Sequence, residues 1–396
     1  MDKLAINGGT PTSNNYIPYG KQSIDEDDIQ AVVDVLKGDY LTTGPSIVAF
    51  EKALVKLTGA KYAVAISNGT SALHAACYAA GITEGDEVIT TPITFAASAN
   101  AVLYCGGTPV FADINPETYN IDPASIEAKI TDKTKAIIAV DFTGQAVEVD
   151  EIKAICQKHN LVFIEDSAHS LNTEYKGEQI GSLADMTTLS FHPVKTITTG
   201  EGGAILTNDE DYYNKMMLFR SHGITRDESL LSHTPYEGYN EQIALGYNYR
   251  MTDFQAALGV SQLKKIKEFS ARRSEIVRKY DEAFQSMPEI IIQKEIDESN
   301  TSRHLYVIRL NTERLTVGRD EIYAALTAEK IGLQVHYMPV YWHPYYQELG
   351  YEKGLCPNAE SLYNQIFTIP LYYSLSDDEV NLVITAIEKV IRHYRK

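Results

Sequence analysis

The sequence predicts an α/β fold with a mainly parallel central sheet, followed by a smaller α+β C-terminal domain. Two observations predict it. Through the first two thirds of the 396 residues, short apolar strands alternate with helical segments, which is typical of a parallel sheet covered by helices on both faces. From about Thr252 a long helical stretch begins, followed by mixed strands and helices. We therefore expect a large domain at 1–262 and a small domain at 263–396.

The first helices have recognisable start and stop signals. One helix is predicted at 24–37, with Ser23 as its N-cap, acidic residues in its first turn and Gly38 as its stop. Pro45 suits the first turn of a second helix that runs toward Gly59. Both helices are therefore expected before the first strand.

Short apolar segments predict the strands of the central sheet. They are residues 62–66, 87–90, 108–111, 136–140, 161–164, 187–191 and 203–206. In the small domain we expect a strand at 304–310, a helix at 320–329 and a strand at 332–336. A last helix begins at Ser376, where Glu379 three residues later completes a capping box.

Composition and charge exclude several classes of protein. The chain has 44% hydrophobic and 22% charged residues and a formal net charge of −18, which disfavours nucleic acid and anionic membrane surfaces as partners. It has neither an apolar run that could cross a bilayer nor the apolar core of a secretory signal, so we expect a cytoplasmic protein. The four cysteines form no CxxC pair, and we expect neither a disulfide framework nor a metal site.

An acidic residue follows a predicted strand at a position where ligands bind in parallel sheets. Asp166 lies just after the strand at 161–164, and the carboxyl ends of such strands face the ligand crevice. Alternatively, Asp166 only caps the next helix. The residue is therefore a candidate for binding a ligand in the crevice.

A lysine follows the next strand in a similar way. Lys195 lies after the strand at 187–191 and before a glycine-rich run at 200–203 that permits close approach of a ligand to the backbone. The alternative is an ordinary surface lysine. A desolvated lysine forms a Schiff base with a carbonyl, and an aspartate opposite a pyridinium nitrogen strengthens the ring as an electron sink. Together Lys195 and Asp166 indicate pyridoxal phosphate (PLP) chemistry.

PLP also requires a phosphate site and a group that stacks on its ring. The segment at 67–73 joins a strand to a helix, whose N-terminus favours a phosphate. Thr70 and Ser71 add hydroxyl donors there, and Ser190 is a further candidate donor. Phe95 follows another strand and is a candidate for stacking on the pyridine face. The alternatives are a simple helix cap at the first segment and an ordinary core position for Phe95.

Four segments carry a resemblance to a known family. The chain resembles the sugar-nucleotide aminotransferases of the DegT class, which are fold type I PLP-dependent transferases, from about Ile17 to the last helix. The resemblance implies this fold, a PLP cofactor and an aminotransferase activity. The four segments are SFHPVKTITTGEGGAILTND, IEDSAHS, SNGTSALHAA and GYNYRMTDFQAALG.

The resemblance also implies a role for each matching residue. Lys195 would be the Schiff-base lysine and proton shuttle, Asp166 would pair the pyridinium nitrogen, and His169 would lie near the 3-oxygen of the cofactor. Such enzymes are typically homodimers with shared active sites, and Asn248 would reach the phosphate of the other subunit. The remaining phosphate donors would be Thr70, Ser71 and Ser190.

Within the family, further segments are similar to enzymes of pseudaminic acid biosynthesis. Those enzymes transfer an amino group from L-glutamate to C4 of a UDP-linked 4-keto-6-deoxy-N-acetyl sugar. The segments include IPYGKQSIDEDDI, LTTGP, TPITFAASAN and QVHYMPVY. The sugar-nucleotide contacts implied by this similarity are Tyr19, Tyr40, Leu41, Thr42, Tyr337, Met338, Pro339 and Tyr341. Tyrosine-rich segments also pack at domain interfaces, which is the alternative interpretation.

Three other functions compete with this one. The enzyme would act on another nucleotide-linked keto-sugar, or the chain would be a regulator that binds PLP or a nucleotide sugar without turnover. PLP-dependent sugar dehydration is disfavoured, because related dehydratases carry histidine where this chain has Lys195. The retention of Lys195, Asp166 and the phosphate segment favours an aminotransferase over a regulator.

Overall fold

The structure is a computed structural model that describes residues 3–233, 236 and 238–396. Its helices are α1 (Glu26–Leu36), α2 (Pro45–Thr58), α3 (Gly69–Ala79), α4 (Ala97–Tyr104), α5 (Pro123–Ala128), α6 (Val149–His159), α7 (Glu210–Phe219), α8 (Asp253–Leu263), α9 (Ile266–Phe284), α10 (Arg319–Ala328), α11 (Pro344–Glu348), α12 (Pro357–Tyr363) and α13 (Asp377–Tyr394).

Its strands belong to a large sheet and three smaller ones. They are β1 (Tyr62–Ile66), β2 (Glu87–Thr90), β3 (Thr108–Phe111), β4 (Thr134–Val140), β5 (Val162–Asp166), β6 (Glu174–Tyr175), β7 (Glu178–Gln179), β8 (Met186–Ser190), β9 (Gly203–Thr207), β10 (Ile224–Thr225), β11 (Glu241–Gln242), β12 (Ile290–Ile292), β13 (Ser299–Asn300), β14 (Tyr306–Leu310) and β15 (Ile366–Ile369).

The large sheet has seven strands in the order β1-β9-β8-β5-β4-β2-β3. Strands β8, β5, β4, β2 and β3 pair in parallel, and β9 is antiparallel to both of its neighbours. The smaller C-terminal sheet, β12-β14-β15, is antiparallel. The predicted α/β fold class is therefore confirmed.

Helices cover both faces of the large sheet, as the apolar strands predict. In β4, Ala136 and Ile138 pack with α3 and α4, whereas Ile137 and Ala139 face the opposite layer with α6. Because alternate residues of a strand point to opposite faces, a strand buried on both sides is apolar along most of its length. The polar residues at the strand ends are therefore the groups left for chemistry.

The predicted strands of the large sheet agree with the structure to within two residues at each end. The first helix differs at its cap, because Asp25 rather than Ser23 accepts a hydrogen bond from the Asp28 N–H and completes a capping box. The last helix begins as predicted, with the Ser376–Glu379 capping box present.

Two predictions for the C-terminal part were wrong. The long helical stretch is broken between α8 and α9, where the Lys265 ammonium contacts Asp25 and Asp28 at 2.7 Å each. The strand predicted at 332–336 is absent, and only Gln334 forms an isolated bridge, with Thr368. The proposed domain boundary near residue 262 stays a prediction.

Among the described residues, no helix combines the length and apolar character needed to span a bilayer.

Candidate active site

A cavity of about 1230 Å³ lies at the carboxyl ends of the parallel strands. Strands β5 and β8 end at its wall, with Asp166 and Ser190 as their last residues. Ligands of open α/β sheets bind at this edge. The predicted site residues that line the cavity are Tyr19, Thr70, Ser71, Phe95, Asp166, His169, Ser190, Lys195 and Tyr337.

The Asp166 carboxylate is buried and held by two donors. Ser98 on α4 donates its hydroxyl to Oδ2 at 2.7 Å, and the Ala168 N–H donates to Oδ1 at 3.2 Å. Burial raises the pKa of Asp166, and the two hydrogen bonds and the charge of Lys195 oppose that rise. A carboxylate in this state is suited to bind a protonated ring nitrogen, because a cationic partner offsets its desolvation.

Lys195 lies on the same cavity wall after a turn that follows β8, in which its N–H donates to the His192 carbonyl at 2.9 Å. Burial lowers the pKa of Lys195 to about 8, against the opposing charge of Asp166. An amine with a pKa near neutral is available both as a nucleophile and as a proton carrier.

The N-terminus of α3 forms a second wall. Asn68 caps the helix by accepting the Ser71 N–H at 2.8 Å, while among the described residues the Gly69 and Thr70 N–H groups have no acceptor. A Cβ on Gly69 would lie 2.9 Å from the Ser190 Cβ, so glycine lets the helix start approach the end of β8. Free N–H groups and hydroxyls at a helix N-terminus form an anion site.

Aromatic and imidazole rings form the third wall. His169 contacts the Tyr337 hydroxyl through Nε2 at 3.2 Å, and its ring centroid lies 4.7 Å from that of His304. The buried Nδ1 atoms of His169 and His304 have no partner among the described residues. Burial, with the nearby Lys195 charge, lowers the pKa of both histidines. Phe95 is 64% exposed, with its ring 6.4 Å from Tyr337.

These groups fit PLP. The α3 N-terminus with Ser190 suits the phosphate, Asp166 suits the ring nitrogen, and Lys195 suits the aldehyde carbon. The unpartnered His169 Nδ1 is a polar group that a bound cofactor oxygen would satisfy. When bound, PLP supplies a carbon that accepts an amino group and a ring that withdraws electrons.

Several predicted residues lie outside the cavity of this single chain. Asn248 is exposed and bridges Ser221 in the backbone. Tyr40, Leu41 and Thr42 are exposed on the segment between α1 and α2. Within the C-terminal segment, Met338 and Pro339 do not line the cavity either.

Tyr341 requires a correction. Its side chain is fully buried, its hydroxyl donates to Glu360 at 2.6 Å and accepts the Cys356 N–H at 3.1 Å, and its ring packs 5.3 Å from Phe111. The side chain therefore belongs to the core and does not contact a sugar nucleotide in this cavity.

The sequence analysis missed Ser98, His304 and His336. Ser98 lies in the TPITFAASAN segment, four residues after Thr94, but nothing in that spacing indicates a contact with Asp166 across 68 positions. His304 and His336 enter from the C-terminal part of the chain. Their position depends on long-range packing, which no local pattern reveals.

Comparison with known proteins identifies the family. Residues 22–388 match the model of the DegT/DnrJ/EryC1/StrS aminotransferase family. The chain belongs to this family. The aminotransferase is 41% identical over 381 residues to the spore coat polysaccharide biosynthesis protein SpsC of Bacillus subtilis, covering 96% of this chain and 98% of the relative.

Other relatives agree with this assignment. The aminotransferase is 39% identical to the UDP-4-amino-4,6-dideoxy-N-acetyl-β-L-altrosamine transaminase of Campylobacter jejuni, with 96% and 99% of the two chains covered. The solved structure of Helicobacter pylori PseC, an aminotransferase involved in pseudaminic acid biosynthesis, superposes with a TM-score of 0.89 at 35% identity and covers 96% of this chain and all of that one.

Spr1654 of Streptococcus pneumoniae, solved in a PLP form, matches with a TM-score of 0.88 at 31% identity over 95% of this chain and 99% of that one. The protein is therefore a PLP-dependent sugar-nucleotide aminotransferase. The predicted family, fold type, enzyme class and cofactor are confirmed.

Proposed function

We propose that this aminotransferase transfers the amino group of L-glutamate to C4 of UDP-2-acetamido-2,6-dideoxy-β-L-arabino-hex-4-ulose. The products would be 2-oxoglutarate and UDP-4-amino-4,6-dideoxy-N-acetyl-β-L-altrosamine, a precursor of pseudaminic acid. The observation that carries the proposal is the shared cavity of Lys195 and Asp166, which is bounded by Tyr19 and Tyr337. Relatives named for this reaction are 36–39% identical over nearly the whole chain.

We assign the chemistry to Lys195 and Asp166. Lys195 Nζ would bind the cofactor aldehyde and move the proton between the amino-bearing carbon of the substrate and the cofactor, for which a pKa of about 8 is suitable. Asp166 would hold the proton of the ring nitrogen. The phosphate would be bound by Thr70, Ser71, Ser190 and the free N–H groups of α3, with His169 near the 3-oxygen and Phe95 against the ring.

We infer that the active enzyme is a homodimer. Large apolar side chains are exposed on α1, α2 and α8 and next to Asn248, and a second copy of the chain would bury them. In that dimer, Asn248 would contact the phosphate in the other subunit, and Tyr40, Leu41 and Thr42 would contact its sugar nucleotide. The exposed apolar residues of these surfaces are Ile29, Leu36, Val48, Leu245, Tyr247 and Phe254. We place the reaction in the cytoplasm, where nucleotide sugars and L-glutamate are made.

A second candidate substrate is another nucleotide-linked keto-sugar. SpsC, a spore coat polysaccharide biosynthesis protein, is 41% identical to this chain, which is as similar as the relatives named for altrosamine. In the cavity, the rings of Tyr19 and Tyr337 both lie near His336, with centroids 5.7 and 4.8 Å from the imidazole. Aromatic side chains of this kind can cover a uracil or sugar face in several related ligands.

A substrate panel separates the two candidates. The purified enzyme with PLP and L-glutamate is offered the L-arabino ketosugar, its D-xylo epimer at C5 and a UDP-4-keto-pentose, and the amino sugars formed are measured by mass spectrometry. We expect kcat/KM to be at least about 10-fold higher for the L-arabino sugar, the discrimination that one or two lost contacts give. A higher value for either competitor would leave an aminotransferase but overturn the pseudaminic acid assignment.

A further inference from the structure

Three carboxyl groups lie buried together at the ends of β4 and β5. Asp141 directly follows β4, and Glu165 and Asp166 end β5. The three residues are 0%, 0% and 4% exposed. Neighbouring buried carboxyl groups cannot all carry a charge without a large cost. Only Asp166 lines the cavity, so the other two have no role in the proposed reaction so far.

Asp141 accepts hydrogen bonds at both oxygens. Ser167 and Ser170 donate their hydroxyls to Oδ2 at 2.8 and 2.5 Å, and the Val147 N–H donates to Oδ1 at 3.1 Å. The Asp141 N–H also donates to the Asp166 carbonyl at 3.1 Å. Three donors and no acceptor at the carboxyl oxygens favour its charged form.

These contacts fix a turn whose two central residues line the cavity. Ser167 and Ser170 are the ends of a four-residue turn, closed by a Ser170 N–H to Ser167 carbonyl bond of 3.1 Å. Between them lie Ala168, whose N–H holds Asp166, and His169, which contacts Tyr337. Asp141 therefore holds both ends of the turn that positions two cavity groups.

Of the three carboxyl groups, Glu165 is the one whose surroundings most favour the protonated form. Its Oε1 has no partner among the described residues, and its Oε2 accepts one hydroxyl, from Thr187 at 3.2 Å. Burial and the charge of Asp141 raise the pKa of Glu165 well above its usual value, against the Thr187 hydroxyl and the charge of Lys153. Burial and the Asp141 charge therefore favour the protonated form of Glu165 over that of Asp141, whose carboxylate has three donors.

Asp141 is then the group whose charge changes near neutral pH. Burial and the charge of Asp166 raise the pKa of Asp141 to about 7, against the hydrogen bonds from Ser170, Ser167 and Val147. The other charged or titratable groups packed at this edge include Lys195, which faces Asp166, His169 on the turn, and Glu165 and Lys153. His304 packs against His169, and its N–H donates to the Thr143 carbonyl at 2.8 Å.

We propose that Asp141 is a positioning residue for transamination: its carboxylate fixes the turn at 167–170, and its negative charge strengthens the hold of Asp166 on the proton of the cofactor ring nitrogen. The proposal rests on the function assigned above to Asp166. Asp141 touches neither substrate nor cofactor, so it acts through Ser167, Ser170 and Asp166.

Four forms of the holoenzyme test the proposal: the wild type, Asp141→Asn, Glu165→Gln and Ser170→Ala. The absorption spectrum of the bound cofactor and the kcat for glutamate are measured from pH 5.5 to 9. In the wild type we expect kcat to rise with pH through about 7, as Asp141 becomes charged. Asp141→Asn should remove this rise and lower kcat at least about 10-fold, with KM for glutamate within about 2-fold.

The other two variants separate charge from packing. Glu165→Gln puts a neutral amide in place of the carboxyl group whose protonated form burial favours, so we expect kcat within about 2-fold of the wild type and the same rise with pH. Ser170→Ala removes one donor from Asp141, which should move the rise, and any matching spectral transition, to higher pH. A role in packing alone would lower the melting temperature and leave the pH of the transition unchanged.

The outcomes distinguish this inference from the proposed function. If glutamate does not bleach the absorption band of the cofactor in the wild type, the assignment of this cavity as an aminotransferase site is overturned. If the wild type reacts but Asp141→Asn keeps the rise with pH, or Ser170→Ala leaves its midpoint unmoved, the role of Asp141 is overturned. Loss of activity in Glu165→Gln equal to that in Asp141→Asn would also overturn it.

Discussion

Lys195 and Asp166 have pKa values that burial shifts toward each other. The pKa of the amine falls to about 8 and that of the carboxyl rises, because the cavity wall removes water from both groups. Each also stabilises the charge of the other. Such pairs are common where a protein must hold a reactive amine near neutral pH.

Replacing Lys195 with Ala should abolish transamination. Loss of proton transfer alone costs about 10²- to 10⁴-fold, and the covalent attachment of the cofactor is lost as well. PLP should still bind through the phosphate site, because α3 is unchanged. Stopped-flow absorbance with glutamate and mass spectrometry of the protein after reduction with borohydride measure both effects. Lys267→Ala, an exposed lysine on α9, is the matched control, and repeated turnover by Lys195→Ala would contradict the assignment.

Replacing Asp166 with Asn should leave the fold and lower kcat about 10²- to 10³-fold. A neutral amide cannot hold the ring proton, and removal of one such electrostatic group typically costs this much. Steady-state kinetics and the cofactor spectrum are the measurements. Ser98→Ala removes a single hydrogen bond of 2.7 Å to the same carboxylate, so its loss should be much smaller. Near-normal turnover by Asp166→Asn would mean that Asp166 is only a structural cap.

At the residue scale, the sequence predicted the cavity residues that directly follow strands. It missed the cavity residues that distant segments of the chain contribute. Asp166 and Lys195 were found because strand ends and glycine-rich turns are local patterns. Ser98 and His304 were not, since their proximity to Asp166 and His169 depends on the packing of distant segments. Tyr341 was misassigned because a tyrosine-rich segment has the same appearance whether its rings face a ligand or the core.

At the scale of elements, the approach of α3 to β8 builds the phosphate site, and Gly69→Ala tests it. The new Cβ would lie 2.9 Å from the Ser190 Cβ, which forces the helix start and the strand end apart at a cost of about 1–3 kcal/mol. We expect PLP to bind about 10-fold more weakly, measured by fluorescence titration of the apoenzyme.

Gly318→Ala is the matched control for this prediction, because Gly318 also begins a helix and its Cβ would meet only the flexible Glu321 carboxylate, at 3.4 Å. Its PLP affinity should match the wild type. An unchanged affinity in Gly69→Ala would mean that the phosphate does not bind between α3 and Ser190.

Elements with local signals were predicted well, and those shaped by tertiary contacts were not. The strands of the large sheet are short apolar runs and were found with small errors at their ends. The segment at 332–336 alternates apolar Leu333 and Val335 with polar residues, as a strand would. Its Gly332 N–H instead pairs with the Ile17 carbonyl at 2.7 Å, and the chain then enters the cavity with His336 and Tyr337. A local sequence pattern cannot predict a backbone contact between residues more than 300 positions apart.

At the scale of the whole molecule, subunit complementation tests whether the active sites are shared. Lys195→Ala and Asn248→Ala should each be strongly impaired as homodimers. In a hybrid dimer with shared sites, one site carries both substitutions and the other carries neither, so mixing should restore up to about half of the wild-type activity per hybrid. Native mass spectrometry verifies that subunits have exchanged. Verified hybrids without recovered activity would show that each site belongs to one chain.

The buried carboxyl cluster should also make stability depend on pH. Because the folded-state pKa of Glu165 is raised well above 4.5, the native state keeps a proton that the unfolded chain loses. Its contribution to stability is therefore full below pH 4.5 and falls as the pH rises toward the folded-state pKa. The glutamine amide does not titrate in either state. The stability of Glu165→Gln relative to the wild type should therefore increase as the pH rises from 5 to 8. Melting temperatures measured at both pH values test this. Glu313→Gln, at an exposed carboxyl, should show no such trend, and a pH-independent difference for Glu165→Gln would mean that Glu165 is charged in the folded protein.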